Sequence, residues 1–96
     1  MKRREASIQL AVVSYARNRG CLAWKLSAAN NSGVPDYIFL FRGAVWFAEF
    51  KREDGKPSRL QQYRIADLRK RGYTVELINS VENGQRYVDQ QILLVT

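Results

Sequence analysis

The chain has no histidine and a single cysteine, Cys21, in 96 residues. The first absence removes Ser-His-Asp triads, Cys-His pairs, histidine-metal finger nucleases and the usual histidine-ligated zinc hydrolases. The second removes an internal disulfide and a cysteine-rich zinc site, so the fold does not depend on oxidation, which suits a reducing compartment. Long apolar runs are missing too. After the basic start Met1-Lys2-Arg3-Arg4, the residues Glu5, Ser7, Gln9 and Ser14 interrupt any signal-like or membrane-spanning segment. A soluble, cytoplasmic chain without a membrane partner is the expectation. Acidic residues are scarce: nine Asp and Glu stand against sixteen Lys and Arg, a net charge of +7. On so short a chain that balance points to a polyanionic partner, nucleic acid first.

The residues that are present fit one domain over 1–96. Apolar residues make up 46% and aromatics 11%, enough for one core but not for two. No internal repeat, low-complexity tract or linker divides the chain. From Arg4 to Arg19 the apolar positions Ile8, Val12 and Tyr15 recur at helical spacing, and Gly20 is placed to stop the helix. Cys21 to Leu26 reads as a strand and the small, polar Ser27 to Val34 as a loop; Pro35 favours an extended entry to the strand beginning at Asp36.

Asp36 to Arg42 and Ala44 to Lys51 read as a β-hairpin turning at Arg42-Gly43. Ile38, Leu40, Val45 and Phe47 lie on one side and Phe39, Phe41, Trp46 and Ala48 on the other, so the hairpin is expected at the centre of a helix-covered sheet. Arg52 to Pro57 is a turn, Ser58 to Arg71 a helix stopped by Gly72, and Tyr73 to Ile78 a strand. Ser80 is placed to cap a last helix through Gln91, which Gly84 weakens. The resulting order, α-β-β-β-α-β-α, is an α/β fold with a central mixed sheet flanked by helices.

The hairpin brings carboxylates together. With a two-residue turn at Arg42-Gly43, antiparallel partners sum to 85, so Asp36 falls opposite Glu49 and their Cβ atoms lie roughly 5 Å apart. Lys51 shares the face of Glu49. Opposed carboxylates repel, and one has its pKa raised unless a cation lies between them. Two carboxylates and an ammonium at one sheet end suit a hard divalent cation, which takes oxygen ligands. Geometry alone supports a metal site and a solvated strand end equally.

At these residues the chain resembles a known family. Gly33-Val34-Pro35-Asp36 followed by Glu49-Phe50-Lys51 resembles the Pro-Asp…(Asp/Glu)-x-Lys signature of restriction-endonuclease-like nucleases. Glu5 with Gln9 on the first helix, and Ser58 with Gln61 entering the later one, resemble its VRR-NUC branch, the virus-type replication-repair nucleases. The match in order and spacing runs from Glu5 to Leu77. The resemblance implies an α-β-β-β-α-β core and a Mg²⁺- or Mn²⁺-dependent endodeoxyribonuclease. Its metal ligands would be Asp36, Glu49 and the main-chain carbonyl of Phe50, with Glu5 acting through water. Lys51 would orient the attacking water, and Gln9 and Gln61 would line the site. It further implies a homodimer acting on branched DNA such as four-way junctions, with no small-molecule cofactor and a phage or mobile-element origin.

Each residue also has a plainer reading. Glu5 and Gln9 form an ordinary i, i+4 pair. Ser58-x-x-Gln61 satisfies a capping box. Tyr37, Trp46 and Phe50 suit the core better than a base-stacking platform, whereas Trp24 and Lys25, just before the polar loop, suit either a structural or a nucleic-acid-contacting role. Among the basic residues, Arg4, Lys56 and Arg59 stand nearest the expected site and are the expected phosphate contacts. The polar loop Ala28 to Gly33 is expected to face DNA and the first helix to form the dimer interface. The competing functions are a non-catalytic nucleic-acid-binding module of the same fold and a small basic interaction protein.

Overall fold

The computed structural model describes residues 4–26 and 33–96. Helix α1 (Glu5–Asn18) leads into β1 (Leu22–Lys25), β2 (Tyr37–Phe41) and β3 (Ala44–Phe50). Helix α2 (Arg59–Lys70), strand β4 (Thr74–Ile78) and helix α3 (Val81–Leu93) complete the chain. The sheet order is β1-β2-β3-β4, with β1/β2 and β2/β3 antiparallel and β3/β4 parallel. The hairpin is therefore central and the sheet mixed, as the sequence implies. No helix among the described residues is long and apolar enough to cross a membrane.

Local chemistry sets the boundaries. After α1, Gly20 takes φ +91°; its N–H bonds Arg17 O, and the Cys21 N–H bonds Ala16 O. After α2, Gly72 at φ +94° repeats the pattern, with the Tyr73 N–H on Leu68 O. Both are Schellman closures, which need a residue at ease in the left-handed region. The hairpin turns at Arg42 (φ +48°) and Gly43 (φ +83°), the two positive values of a type I′ turn. Five residue pairs, from Phe41↔Ala44 to Tyr37↔Ala48, follow the sum-of-85 register.

Strand alternation sorts the residues of β3 by face. Trp46, Ala48 and Phe50 point inward and are fully buried with Phe39, Ile78, Ile8, Val12 and Val88. The Phe39 and Trp46 rings stack at 6.0 Å, and Phe50 meets Tyr37 edge-on at 6.1 Å. Trp46 and Phe50 are thus core residues, as read from sequence. Helices α1 and α3 close this face and pack on each other at Gly84. A Cβ there would collide with Val12 and stand 2.9 Å from Ile78 Cγ2. The glycine that weakens the last helix on propensity is what lets that helix approach α1.

The opposite face departs from expectation. There α2 packs chiefly on β4, leaving Leu22, Trp24 and Val45 exposed and Ile38, Leu40 and Phe47 half-buried. A twelve-residue helix does not span four strands, so helices cover only one face of the hairpin in full. Trp24, ambiguous in the sequence, belongs to this outer face.

Candidate active site

Outward alternation along β3 places Val45, Phe47 and then Glu49 on the outer face, with Leu77 of β4 paired to Glu49. Glu49 does not emerge into water: it is 1% exposed and is the one charged residue in the core set of the described residues. That removes the solvated-strand-end reading for it. Its Oε2 accepts a hydrogen bond from Gln61 Nε2 at 2.8 Å and lies 3.7 Å from Lys51 Nζ. Its Oε1 is buried with no hydrogen-bond partner among the described residues.

Burial pushes the Glu49 carboxyl up to about 7, helped by the charge of Asp36 and more weakly by Glu5, while Lys51 pulls it down. The repulsion expected from the hairpin register is therefore present. The contact that produces it differs from a simple opposed pair. The described ladder ends at Tyr37↔Ala48, and Asp36 Oδ2 instead accepts the Phe50 N–H at 2.8 Å. The Asp36 carbonyl accepts the Leu26 N–H, also at 2.8 Å, so its backbone is held from the β1 side.

Two further elements support this corner. Gly33, at φ +86°, packs so closely on α2 that a Cβ would stand 2.8 Å from Leu60 Cγ and 3.0 Å from the Leu60 carbonyl. The turn leading to Asp36 thus rests on the first turn of α2. Lys51 is held as β3 ends by its N–H on Ile78 O at 2.9 Å.

Ser58 and Gln61 form the capping box read from sequence. Ser58 Oγ accepts the Gln61 N–H at 3.1 Å, and Gln61 Oε1 accepts the Ser58 N–H at 2.8 Å. The sequence offers cap or site as alternatives for Gln61, and its amide both caps α2 and donates to Glu49. The capping-box spacing is visible in the sequence. Nothing there reveals that Glu49 lies within reach of the other end of the amide.

The remaining expected residues are more dispersed. Glu5 is exposed in the first turn of α1 and reaches Glu49 only through its field. Gln9, one turn on, is half-buried; Arg4, Lys56 and Arg59 are exposed. The polar loop from Ala28 lies, except for Gly33, outside the described residues, as do Met1 to Arg3. A surface groove of about 400 Å³ lies elsewhere, between Tyr15 of α1 and Gln85, Asp89 and Leu93 of α3. It holds none of these carboxylates.

The donor set fits a divalent cation of the hard class. Among the described residues no three carboxylate or thiol side chains gather into a protein-only cage. The site instead offers an all-oxygen arrangement that leaves positions for water or phosphate, as magnesium sites commonly do. Glu49 Oε1 is a buried carboxyl oxygen without a hydrogen-bond partner among the described residues, and a cation satisfies such an atom directly.

Comparisons with known proteins bear on the chain as a whole. No family model matches the chain. A protein named "Putative nuclease p44", from Acyrthosiphon pisum secondary endosymbiont phage 1, is 35% identical over 78 residues. That alignment spans 80% of this chain and 84% of the relative. A solved structure described as "VRR_NUC domain" superposes with a TM-score of 0.80 at 32% identity, covering 88% of this chain and 94% of the other.

Proposed function

The chain belongs to the VRR-NUC family, and from that premise we propose that it is a divalent-metal-dependent endonuclease hydrolysing phosphodiester bonds in DNA. The observation that carries this reading is the buried oxygen of Glu49 that has no partner among the described residues, set beside Asp36 and Lys51. Asp36 and Glu49, with the Phe50 carbonyl, would hold Mg²⁺ or Mn²⁺, and Glu5 would act on it through water. The bound ion supplies Lewis acidity and a lowered pKa for water, the work that histidine does elsewhere.

The chain's own groups do the rest. Lys51 carries a mostly buried ammonium group beside Glu49, where it orients the attacking water and offsets the negative charge that builds at phosphorus. The water oxygen bonds to phosphorus as the bond from phosphorus to the leaving sugar oxygen breaks. Asp36 keeps the end of β3 in place through the Phe50 amide. Gln61 holds one oxygen of Glu49, leaving the other for the cation. Lys56 and Arg59, exposed on the turn and first turn of α2, and Arg4 and Gln9 at the start of α1 meet the DNA. A net charge of +7 makes binding steeply salt-dependent.

The preferred substrate is branched DNA such as a four-way junction, cut by a homodimer, because one site cuts one strand and symmetric cutting needs two. The outer sheet face supports a second copy as the dimer partner. Leu22, Trp24, Ile38, Leu40, Val45 and Phe47 carry no charge, and most are aliphatic, which suits another protein face better than stacked bases. On α1, the interface expected from the sequence, Ile8, Val12, Val13 and Ala16 are spent on the core, and Leu10 is exposed.

The test is incubation of the protein with a labelled four-way junction and a matched duplex, in Mg²⁺, Mn²⁺ or EDTA, beside Lys51→Ala. The expected result is metal-dependent cutting, with paired nicks on the junction and loss in the variant. Salt-sensitive binding without cutting in either metal overturns the nuclease reading in favour of a binding module.

A further inference from the structure

The primary amide of Gln61 has an acceptor end and a donor end, and both are engaged. Its oxygen takes the Ser58 N–H at 2.8 Å, and its nitrogen gives to Glu49 Oε2 at 2.8 Å. Turning the amide over would set its oxygen against a carboxylate and its NH₂ against an N–H, two repulsive contacts in place of two hydrogen bonds. The cap thus dictates which end of the amide faces the site. The Ser58 hydroxyl closes the loop by holding the Gln61 backbone N–H at 3.1 Å. Leu60, in the same turn, is pressed against Gly33, three residues before Asp36. One turn of helix thereby touches the supports of both carboxylates.

We propose that Ser58 is a positioning residue of the site. By fixing the first turn of α2 it orients the Gln61 amide, which occupies Glu49 Oε2 with a neutral donor and reserves Oε1 for the cation. This deepens the metal-dependent reading and rests on it. A merely structural Ser58 stabilises the helix alone, and losing it costs only helix stability. A positioning Ser58 also sets metal affinity, because groups that orient a ligand change that affinity by roughly 10- to 100-fold.

The experiment is Mn²⁺ binding to the intact protein without DNA, followed by electron paramagnetic resonance, with thermal melting of the metal-free proteins alongside. Three variants separate the roles. Ser58→Ala removes hydroxyl and cap. Ser58→Gly removes the hydroxyl at a smaller helix penalty than alanine, which keeps the test sound if the alanine variant folds poorly. Ser58→Thr restores a hydroxyl. The expected result is Mn²⁺ affinity about tenfold weaker in the alanine and glycine variants and near wild type in the threonine variant. Wild-type affinity in Ser58→Gly overturns the positioning role and leaves the metal site standing. Absence of Mn²⁺ binding by the unaltered protein overturns both.

Discussion

The two faces of the sheet, read along a single strand, are built to different ends. Inward from β3, Trp46, Ala48 and Phe50 are fully buried and packed by two helices that meet at a glycine. Outward, Val45 is exposed, Phe47 half-buried, and Glu49 buried yet charged. Each face holds one buried polar atom without a partner among the described residues: Trp46 Nε1 inside and Glu49 Oε1 outside. The inner orphan is a donor on a neutral ring and calls for no cation. The outer one is a carboxyl oxygen in the field of a second carboxylate, Asp36. The inner face is spent on packing, whereas the outer face leaves Leu22, Trp24 and Val45 exposed and one oxygen of Glu49 without a partner among the described residues.

The two tryptophans test that division most strongly. Trp46→Ala empties the inner face and should lower unfolding free energy by about 4 kcal/mol in urea titration. Trp24→Ala removes a side chain that is 57% exposed and should cost about 0.5 kcal/mol or less in dilute protein. If the outer face pairs two copies, the Trp24 effect grows with protein concentration while the Trp46 effect does not. Equal losses at the two positions, independent of concentration, would erase the distinction between the faces.

Glu49 provides the next test, because there the demands of stability and function oppose one another. Its carboxyl, raised to about 7, binds a proton more tightly in the folded than in the unfolded chain. Its stabilising contribution is therefore full below the ordinary carboxylate pKa and is lost as pH climbs through 7. Metal-free protein should melt lower at pH 8 than at pH 5 on this account, and Glu49→Gln should flatten that part of the profile. The same substitution should reduce cleavage by about a thousandfold, roughly 4 kcal/mol of barrier. A variant that loses both stability at pH 8 and activity would show Glu49 to be structural.

Much of this is legible in the chain itself. The hairpin register follows from Arg42-Gly43, because a two-residue turn fixes every pair behind it, and both helix stops follow from Gly20 and Gly72. The same arithmetic brings Asp36 to the end of β3 that carries Glu49, but the ladder stops at Tyr37↔Ala48 and Asp36 bonds the Phe50 N–H instead. Three features are not legible, each because it depends on how elements pack. Nothing in the apolar outward residues says whether a helix covers them, so the open face escapes a reading of the strands alone. Gly84 counts against a helix by propensity, and only the approach of Val12 explains it. The joint role of Gln61 needs the distance from α2 to β3, which no local pattern contains.

The smallest effect comes from the end of the hairpin far from the carboxylates. Arg42 adopts a positive φ that costs an L-residue about 1–2 kcal/mol, a conformation that Asn tolerates better. Its guanidinium returns part of that cost by lying over the Phe41 ring at 5.6 Å, a contact of about 0.5–1 kcal/mol at an exposed site. The backbone term is the larger, so Arg42→Asn should raise unfolding free energy by about 0.5 kcal/mol. Mn²⁺ binding and cleavage should stay unchanged, since the turn touches only the shape of the ladder and not its open end. Destabilisation by Arg42→Asn would mean that the ring contact outweighs the turn. A changed Mn²⁺ affinity would mean that the two ends of the hairpin are mechanically coupled, and that the site depends on register as well as on the side chains that line it.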